Sequence, residues 1–266
     1  MSQKLSPPPG KKFEIKEYDS SYRGDASKDA AEAAMASLCL RLDELQNLLY
    51  ADGRFGMIII LQAIDAGGKD GTIKSVFRDV GPLGCSVVSF GVPTKLELAH
   101  DYLWRYHREA PERGGMVIFN RSYYESVLVE RVRNIAPKEV WKTRYEQINR
   151  FESYLSSQGT VVMKFFLHIS KEEQRRRLQA RVDDPKKRWK FRMGDLEDRK
   201  LWDDYQAAFE DMVGNCNTED APWHVVAADH NWYRDLVVAR ALVKKLESMD
   251  LRYPEAEAGV AGLTIT

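Results

Sequence analysis

The sequence predicts an α/β protein, a three-layer sandwich in which a parallel sheet of about five strands lies between layers of helices. Apolar runs alternate with amphipathic helix patterns from residue 57 to residue 248, the order typical of βα units. The runs are almost continuously apolar, as expected for parallel strands buried on both faces of a sheet. A glycine-rich turn follows the first run directly, and such turns are typical of phosphate-binding α/β folds.

The elements can be assigned in order along the chain. Apolar residues recur at helical spacing from Met35 to Leu49, which predicts an amphipathic helix that packs on the core. Strands are predicted at 57–65, 85–90, 115–120, 160–169 and 223–228. Helices are predicted at 70–79, 95–108, 171–182 and 231–248, with further helices before residue 157.

A chain of 266 residues is expected to form one main domain. Residues 1–28 are polar and contain a Pro-Pro-Pro-Gly-Lys-Lys run, which favours an extended N-terminal arm on the surface. We predict a single α/β domain over 29–250, which includes a charged segment at about 183–200. Residues 251–266 include a low-complexity stretch and are predicted to form a flexible tail.

Composition limits the partners that we expect. Lysine plus arginine and aspartate plus glutamate number 40 each, so no overall field favours nucleic acid or an anionic membrane. No apolar run approaches the roughly 20 residues of a membrane span, and the first residues lack the apolar region of a signal peptide. The three cysteines form no C-x-x-C pair and are expected to be reduced. These features predict a cytoplasmic protein.

The glycine-rich turn is the strongest functional signal. It has the sequence Asp-Ala-Gly-Gly-Lys-Asp-Gly-Thr over residues 65–72 and lies between a predicted strand and a predicted helix. Glycines let successive backbone N–H groups face one anion, the helix start adds its positive dipole end, and Lys69 supplies a mobile charge. The predicted phosphate- and nucleotide-binding residues of the turn are Ala66, Gly67, Gly68, Asp70, Gly71 and Thr72.

The turn departs from the strict P-loop pattern G-x-x-x-x-G-K-[ST]. Ala63 occupies the position of the first glycine, and Asp70 occupies the position of the hydroxyl that binds magnesium. Asp65 lies at the carboxyl end of the predicted strand, where ligands bind in open α/β sheets. We therefore expect Asp65 to hold a Mg²⁺ ion that the missing hydroxyl cannot hold.

A second candidate site follows the strand Met116–Phe119. Asn120 and Arg121 come directly after this apolar run, in the position of a Walker B strand end. An asparagine oxygen is a weaker metal ligand than the aspartate that is usual there, and Arg121 is predicted to clamp a phosphate. Glu125 and Glu130 follow, and because their spacing of five residues does not place both on one helix face, we expect only one of them to be functional.

A third feature is the cationic segment at 186–192, which carries five basic residues interleaved with aromatic ones. Three interpretations are open: a movable lid that binds an anion, a patch for nucleic acid, and a solvated loop. The lid is favoured because the cations are local and the aromatic residues are few. Arg177 and Arg181 on the preceding predicted helix share a face and add charge.

No obvious general base accompanies these motifs. A hydroxyl acceptor needs help to lose its proton, whereas a phosphate acceptor, with a second pKa near ~6, is already an anion at neutral pH. The pattern therefore favours a nucleotide phosphate as the acceptor.

Four motifs together resemble the second family of polyphosphate kinases. They are Asp65–Thr72, Phe119–Tyr124, Val129–Val132 and Lys187–Phe191, in this order and spacing. The resemblance implies a thymidylate-kinase-like P-loop fold for the domain at 29–250, with a helical lid at about 183–200. It also implies Mg²⁺-dependent transfer of phosphoryl groups between polyphosphate and nucleotides.

The resemblance implies roles for individual residues. Asp65 and Lys69 match the Walker A metal and phosphate residues, and Asn120 and Arg121 match the Walker B pair. Glu130 matches the family's following glutamate and is therefore preferred to Glu125. Tyr124 ends the second motif and is predicted to contact nucleotide. The predicted polyphosphate-binding cations are Arg177, Arg181, Lys187, Arg188 and Lys190.

The asparagine at position 120 and the single-domain length resemble the subfamily that phosphorylates both AMP and ADP. The predicted partners are therefore polyphosphate, AMP, ADP and ATP, with a homo-oligomer, a dimer or tetramer, expected. An ATP-dependent nucleotide or small-molecule kinase is an alternative that needs no long cationic track. A polyanion or nucleic-acid binding module with an inactive P-loop is an alternative from another class.

Overall fold

The structure is a computed structural model that describes residues 5–260 and 262–265. Its sheet contains five strands, which pair in parallel in the order β2-β3-β1-β4-β5. The strands are β1 Gly56–Gln62, β2 Cys85–Ser89, β3 Met116–Asn120, β4 Thr160–His168 and β5 Trp223–Ala227. The predicted five-stranded parallel sheet is confirmed.

The central strand is β1, and all seven of its residues are buried. This burial agrees with its near-continuous run of isoleucines, because a central parallel strand is covered on both faces. The edge strand β2 differs from the prediction, since Ser86, Val87 and Ser89 are exposed. An edge position leaves this strand only partly covered.

Helices form a layer on each face of the sheet. They are α1 Lys28–Asp52, α2 Lys69–Val76, α3 Lys95–Leu98, α4 Trp104–His107, α5 Val129–Val132, α6 Lys138–Ser157, α7 Lys171–Asp183, α8 Met193–Lys200, α9 Trp202–Cys216 and α10 Asn231–Glu247. Helix α10 contacts α1 and α2, whereas α9 contacts α5 and α6. The apolar stripe of α1, including Met35, Leu42 and Leu49, is buried in the core, as the sequence predicts.

The predicted single helix at 95–108 is wrong, because this segment forms the two short helices α3 and α4. Thr94 and Glu97 form a capping box that begins α3. The Asp101 side chain then accepts hydrogen bonds from the backbone N–H groups of Leu103 and Trp104 at 3.0 and 3.2 Å. Such local side-chain bonds compete with a continuous helix and begin a new one.

The described part of the N-terminal arm is tied to the domain at several points. Its backbone carbonyl at Leu5 accepts from Val225 N–H at 2.8 Å on β5, and Phe13 is buried in the core. Within the described part of the tail, 251–260 and 262–265 contain neither helix nor strand. Among the described residues, no helix has the length and apolar character required to span a membrane.

Candidate functional site

The sheet topology brings the glycine-rich turn and the second motif together. Strands β1 and β3 are parallel neighbours, and Leu61 pairs with Asn120 at their carboxyl ends. Side chains that follow these two strands therefore meet at the same edge of the sheet, where ligands bind in open α/β folds. The Arg121 N–H donates to the Leu61 carbonyl at 3.2 Å and joins the two strand ends.

The glycine-rich turn bends sharply into α2. Ala66 has a left-handed backbone with φ of 62°, and the Gly67 N–H donates to the Ile64 carbonyl at 2.9 Å. Gly68 has φ of 105° and stands directly before the first residue of α2, a conformation that favours glycine. The turn therefore meets the positive end of α2, an arrangement suited to an anion.

Lys69 is the first residue of α2, and its side chain folds back over the turn. The ammonium donates to the Ala63 carbonyl at 2.9 Å, and the residue is only 9% exposed. Burial lowers the pKa of Lys69 to about 8, assisted by the charge of Arg121 and opposed by Asp65. This lysine is therefore a buried cation at the centre of the site.

Arg121 connects the second motif to the glycine-rich turn. It has a left-handed backbone, with φ of 67°, and its Nη2 donates to Asp65 Oδ1 at 2.9 Å. Burial alone would lower the pKa of Arg121, but the carboxylates of Glu125 and Asp65 raise it. The structure thus brings three of the predicted site residues, Asp65, Lys69 and Arg121, into one cluster.

Asp70 receives contacts from both the second motif and the cationic segment. Asn120 Nδ2 donates to Asp70 Oδ1 at 2.9 Å, and Lys190 Nζ lies 3.5 Å from Asp70 Oδ2. Burial opposes a low pKa for Asp70, yet the Asn120 bond and the charges of Lys190 and Lys69 lower it. Asp70 therefore links the turn, β3 and the segment 183–200, which we call the lid segment.

Two arginines lie against the glycines of the turn. A Cβ at Gly68 would collide with the Arg234 guanidinium and would lie 3.2 Å from Arg177 Nη1. Arg177 donates to the Ala66 carbonyl at 3.1 Å, and both arginines donate to the Asn231 side chain, at 2.9 and 2.7 Å. Burial lowers the pKa of Arg177. These contacts brace the turn from the side of α7 and α10.

Arg234 lies outside the four sequence motifs and was not predicted as a site residue. It is 2% exposed and is paired with Asp235 at 2.7 Å. Burial raises the pKa of Asp235, although Arg234, Ser75 and Thr72 oppose this shift. The only sequence signal is the pair of opposite charges at the start of a predicted helix, which is also common on solvated helix faces.

Thr72 and Gly71 are packed against this brace. Thr72 is fully buried, and its hydroxyl donates to the Gly68 carbonyl at 3.3 Å. A Cβ at Gly71 would lie 3.2 Å from Arg234 Nη2. In this structure the Thr72 hydroxyl is therefore engaged with protein groups.

Tyr124 lies in the core and not at the turn. It is 0% exposed, and its hydroxyl donates to Glu152 Oε1 at 2.8 Å and accepts from Lys164 Nζ at 2.8 Å. Lys164 also pairs with Glu152 at 2.6 Å. The structure therefore places Tyr124 within a buried polar network formed with Glu152 of α6 and Lys164 of β4.

Glu130 lies on α5 and is paired with Arg144 at 2.6 Å. Glu125 belongs to the preceding 3₁₀ helix. Glu125 contacts the residues beside the turn: it accepts a hydrogen bond from Gln62, and its Oε2 lies 3.9 Å from Nη1 of Arg121, which is bonded to Asp65. Burial raises the pKa of Glu125, although Arg121 and Lys69 oppose this shift. The signal available in the sequence was its i,i+4 spacing from Arg121.

The remaining predicted cations lie along α7 and the lid segment. Arg181 Nη1 lies 3.6 Å from Asp195 Oδ2, and Lys187 pairs with Asp184 at 2.9 Å. Arg188 Nε donates to the Val182 carbonyl at 2.8 Å. Lys190 is thus the lid-segment cation that the structure brings to the glycine-rich turn.

The assembled site contains an anion-binding turn at a helix start, a buried lysine, an arginine from the neighbouring strand end and a carboxylate between them. Fixed positive groups of this kind position phosphates and stabilise the charge that develops during phosphoryl transfer. The fold and site therefore define a phosphate-transferring protein of the P-loop kinase type.

Comparison with known proteins agrees with this class. The polyphosphate kinase 2 family profile matches residues 25–254, and the chain belongs to this family. It is 53% identical to the AMP/ADP-polyphosphate phosphotransferase of Meiothermus ruber over 97% of both chains. It is 44% identical to the ADP-polyphosphate phosphotransferase of Rhodopseudomonas palustris over 86% of this chain and 83% of that protein.

A solved structure shows the same fold. The crystal structure of polyphosphate kinase 2 from Arthrobacter aurescens matches with a TM-score of 0.93 and 39% sequence identity. The match covers 97% of this chain and 92% of that chain. The P-loop kinase-like fold predicted from the motifs is therefore confirmed.

Proposed function

We propose that the protein transfers phosphoryl groups from inorganic polyphosphate to AMP and ADP, forming ADP and ATP. The observation that carries this proposal is the cationic cluster of Lys69, Arg121 and Lys190 around one glycine-rich turn. One lysine of this cluster comes from the lid segment, as needed to hold a long polyanionic donor over the turn. The names of the relatives from Meiothermus and Rhodopseudomonas support the same reaction.

We assign the roles as follows. Lys69 and the backbone N–H groups of Gly67–Gly71 hold the phosphates, and Arg121 stabilises negative charge on the transferring group. Lys190, with Lys187, Arg188 and Arg181, guides the polyphosphate chain. Glu130 remains a proposed site residue whose carboxylate is held by Arg144.

The residues at the turn fit a magnesium ion. Mg²⁺ is commonly bound through one or two carboxylates together with substrate phosphates, and Asp65, paired with Arg121 at 2.9 Å, supplies one carboxylate in the turn that follows β1. Among the described residues, no group of three or more acidic, histidine or cysteine side chains forms an all-protein cage. Bound Mg²⁺ would neutralise phosphate charge, while Arg121 and Lys69 orient the phosphates.

Transfer is proposed to be direct. The acceptor phosphate is already an anion at neutral pH, so the site needs no general base to activate it. Positioning of donor and acceptor by fixed cations supplies the catalysis, and no covalent enzyme intermediate is required.

The first experiment is to incubate the purified protein with long-chain polyphosphate, Mg²⁺ and either AMP or ADP, and to separate the nucleotides by chromatography. Formation of ADP from AMP and of ATP from ADP is expected. Turnover with ATP as the donor and none with polyphosphate would instead support an ATP-dependent kinase. Salt-sensitive polyanion binding without turnover would support a binding module.

Lys69→Ala tests the site in the same assay. We expect transfer to fall by about a thousandfold or more, because the cation at the centre of the turn is lost, while the protein remains folded by circular dichroism. Lys142→Ala is the matched control, since Lys142 lies exposed on α6. Turnover of Lys69→Ala close to that of the control would refute the assignment of the site.

We also propose a cytoplasmic location and a homo-oligomer. The thiols of Cys39, Cys85 and Cys216 are free, which agrees with a reducing compartment. Exposed apolar residues on the outer side of α1, Leu40 and Tyr50, are compatible with contact between subunits. Light scattering of the purified protein measures the oligomeric state.

A further inference from the structure

Glu125 is an acidic side chain beside Arg121 to which the proposed function gives no role. It lies in the 3₁₀ helix Tyr123–Ser126, one turn after Arg121. We propose that Glu125, held in place by Gln62, positions the Arg121 guanidinium for phosphoryl transfer. This inference rests on the proposed function and assigns Glu125 as a positioning residue.

Gln62 fixes Glu125 from the central strand. Gln62 is the last residue of β1 and is 0% exposed, and its Nε2 donates to Glu125 Oε1. Its own Oε1 accepts from the Ser122 hydroxyl at 3.4 Å. Because both sides of the Gln62 amide are engaged, the Glu125 carboxylate is held relative to the sheet and not only to its own short helix.

The Arg121 guanidinium lies between two carboxylates. Nη2 donates to Asp65 at 2.9 Å, and Nη1 lies 3.9 Å from Glu125 Oε2. Asp65 belongs to the glycine-rich turn and is proposed to face the incoming phosphates. An anionic phosphate in the turn competes with Asp65 for Arg121, whereas Glu125 approaches the guanidinium from the Gln62 side. Glu125 therefore limits the guanidinium to orientations that face the turn.

Glu125 also adds negative charge beside a cationic centre. The neutral Asn120 stands at the strand end where the usual Walker B residue is a carboxylate, and its amide is bonded to Asp70. Glu125 Oε2 lies 3.9 Å from Arg121 Nη1, and the charges of Arg121 and Lys69 both oppose the rise in the pKa of Glu125, so the carboxylate and these two cations stabilise one another. The carboxylate thus supports the cationic cluster before substrate arrives.

The test uses the full chain and the variant Glu125→Gln. A glutamine at this position keeps an oxygen that accepts from Gln62, removes the charge and replaces the oxygen that faces Arg121 with an NH2 group. We expect kcat with polyphosphate and ADP to fall about tenfold or more, with both KM values within about threefold of wild type. Glu146→Gln is the matched control, because Glu146 is exposed on α6 and paired with Arg150.

A double-mutant cycle distinguishes an effect of Glu125 that acts through Arg121 from an effect of Glu125 on activity that is independent of Arg121. If Glu125 acts through Arg121, the combined variant Arg121→Ala with Glu125→Gln should be no slower than Arg121→Ala alone. Unchanged kcat in Glu125→Gln, or losses that multiply in the combined variant, would overturn the inference. Melting temperatures near that of wild type verify that the variants are compared in the folded state.

Failure of this inference is distinguishable from failure of the proposed function. If wild type transfers nothing from polyphosphate, the proposed donor is wrong, and the cycle is then measured with ATP as donor. If wild type is active and the cycle is additive, the donor assignment stands and the positioning role of Glu125 is rejected.

Discussion

Lys190 of the lid segment lies 3.5 Å from Asp70 of the glycine-rich turn. Asp70 occupies the position that carries a hydroxyl in the strict P-loop pattern, and its other oxygen accepts from Asn120 at 2.9 Å. The aspartate thus gives the lid segment a point of attachment at the phosphate-binding turn. Lys190 is 39% exposed at its side chain, so this contact remains accessible to an incoming polyanion.

Lys190→Ala should weaken use of the donor more than the chemical step. We expect the KM for polyphosphate to rise about threefold to tenfold, with a smaller change in kcat, because the lost charge guides the chain over the turn. The KM should also depend less steeply on salt than in wild type. Lys142→Ala on α6 controls for loss of a lysine elsewhere. A fall in kcat at unchanged KM would contradict this role.

Activity should decline at alkaline pH through Lys69. Burial lowers its pKa to about 8 in the free protein, with Arg121 acting in the same direction and with Asp65, Glu125 and Asp70 opposing. The charged form persists below this pKa and is lost as pH rises through it. We therefore expect kcat/KM to fall above pH of about 8.

The pH dependence is measured as initial rates at constant ionic strength and saturating Mg²⁺. Bound phosphates stabilise the ammonium, so the decline in kcat should occur at higher pH than the decline in kcat/KM. A kcat/KM that stays constant to pH of about 10 would show that Lys69 keeps its charge throughout the range.

The sequence predicted the sheet and the turn because both depend on local pattern. Continuous apolar runs indicate buried parallel strands, and the turn residues 65–72 are contiguous in the chain. The roles of Arg234 and Glu125 depend instead on contacts between distant segments. Gln62 and Glu125 are 63 residues apart, and neither carries a motif that predicts their hydrogen bond.

Tyr124 shows that a sequence motif can locate a residue without specifying the direction of its side chain. The motif Phe119–Tyr124 predicts that Tyr124 lies near the end of β3. It does not predict the direction in which the ring points. The ring turns into the core because Glu152 and Lys164 supply hydrogen-bond partners there, and these residues come from α6 and β4. Side-chain direction after a strand end is therefore set by tertiary packing, which a local pattern does not contain.

Gly68→Ala should damage both stability and activity. Gly68 has φ of 105°, and a Cβ there would collide with the Arg234 guanidinium. We expect a loss of about 1–3 kcal/mol in the free energy of unfolding from backbone strain, and at least a hundredfold loss of transfer because the turn is displaced. Urea denaturation and the nucleotide assay measure the two effects.

Gly81→Ala is the matched control for Gly68→Ala. A Cβ at Gly81 meets no atom within 4 Å, and its backbone is outside the left-handed region. This variant should retain wild-type stability and transfer. Equal behaviour of the two alanine variants would show that the brace formed by Arg177 and Arg234 does not constrain the turn.

The buried polar network of Tyr124, Glu152 and Lys164 predicts a large effect on stability from a substitution outside the glycine-rich turn. Lys164 and Glu152 are both buried and lie 2.6 Å apart, and Lys164 also donates to Tyr124 and to the Cys216 carbonyl, at 2.8 and 2.7 Å. Glu152→Leu would leave a buried ammonium without its carboxylate. We expect a loss of about 3–5 kcal/mol in the free energy of unfolding, as for other buried pairs broken at one partner.

Urea denaturation compares Glu152→Leu with Glu146→Leu, which removes an exposed glutamate of the same helix, paired with Arg150. The exposed substitution should change stability by less than about 1 kcal/mol, because surface ion pairs contribute little. Adding Lys164→Met to Glu152→Leu should recover part of the loss, since the unpaired buried charge is removed. If Glu152→Leu were as stable as Glu146→Leu, the buried charge at Lys164 would have to be satisfied by Tyr124 and the Cys216 carbonyl alone.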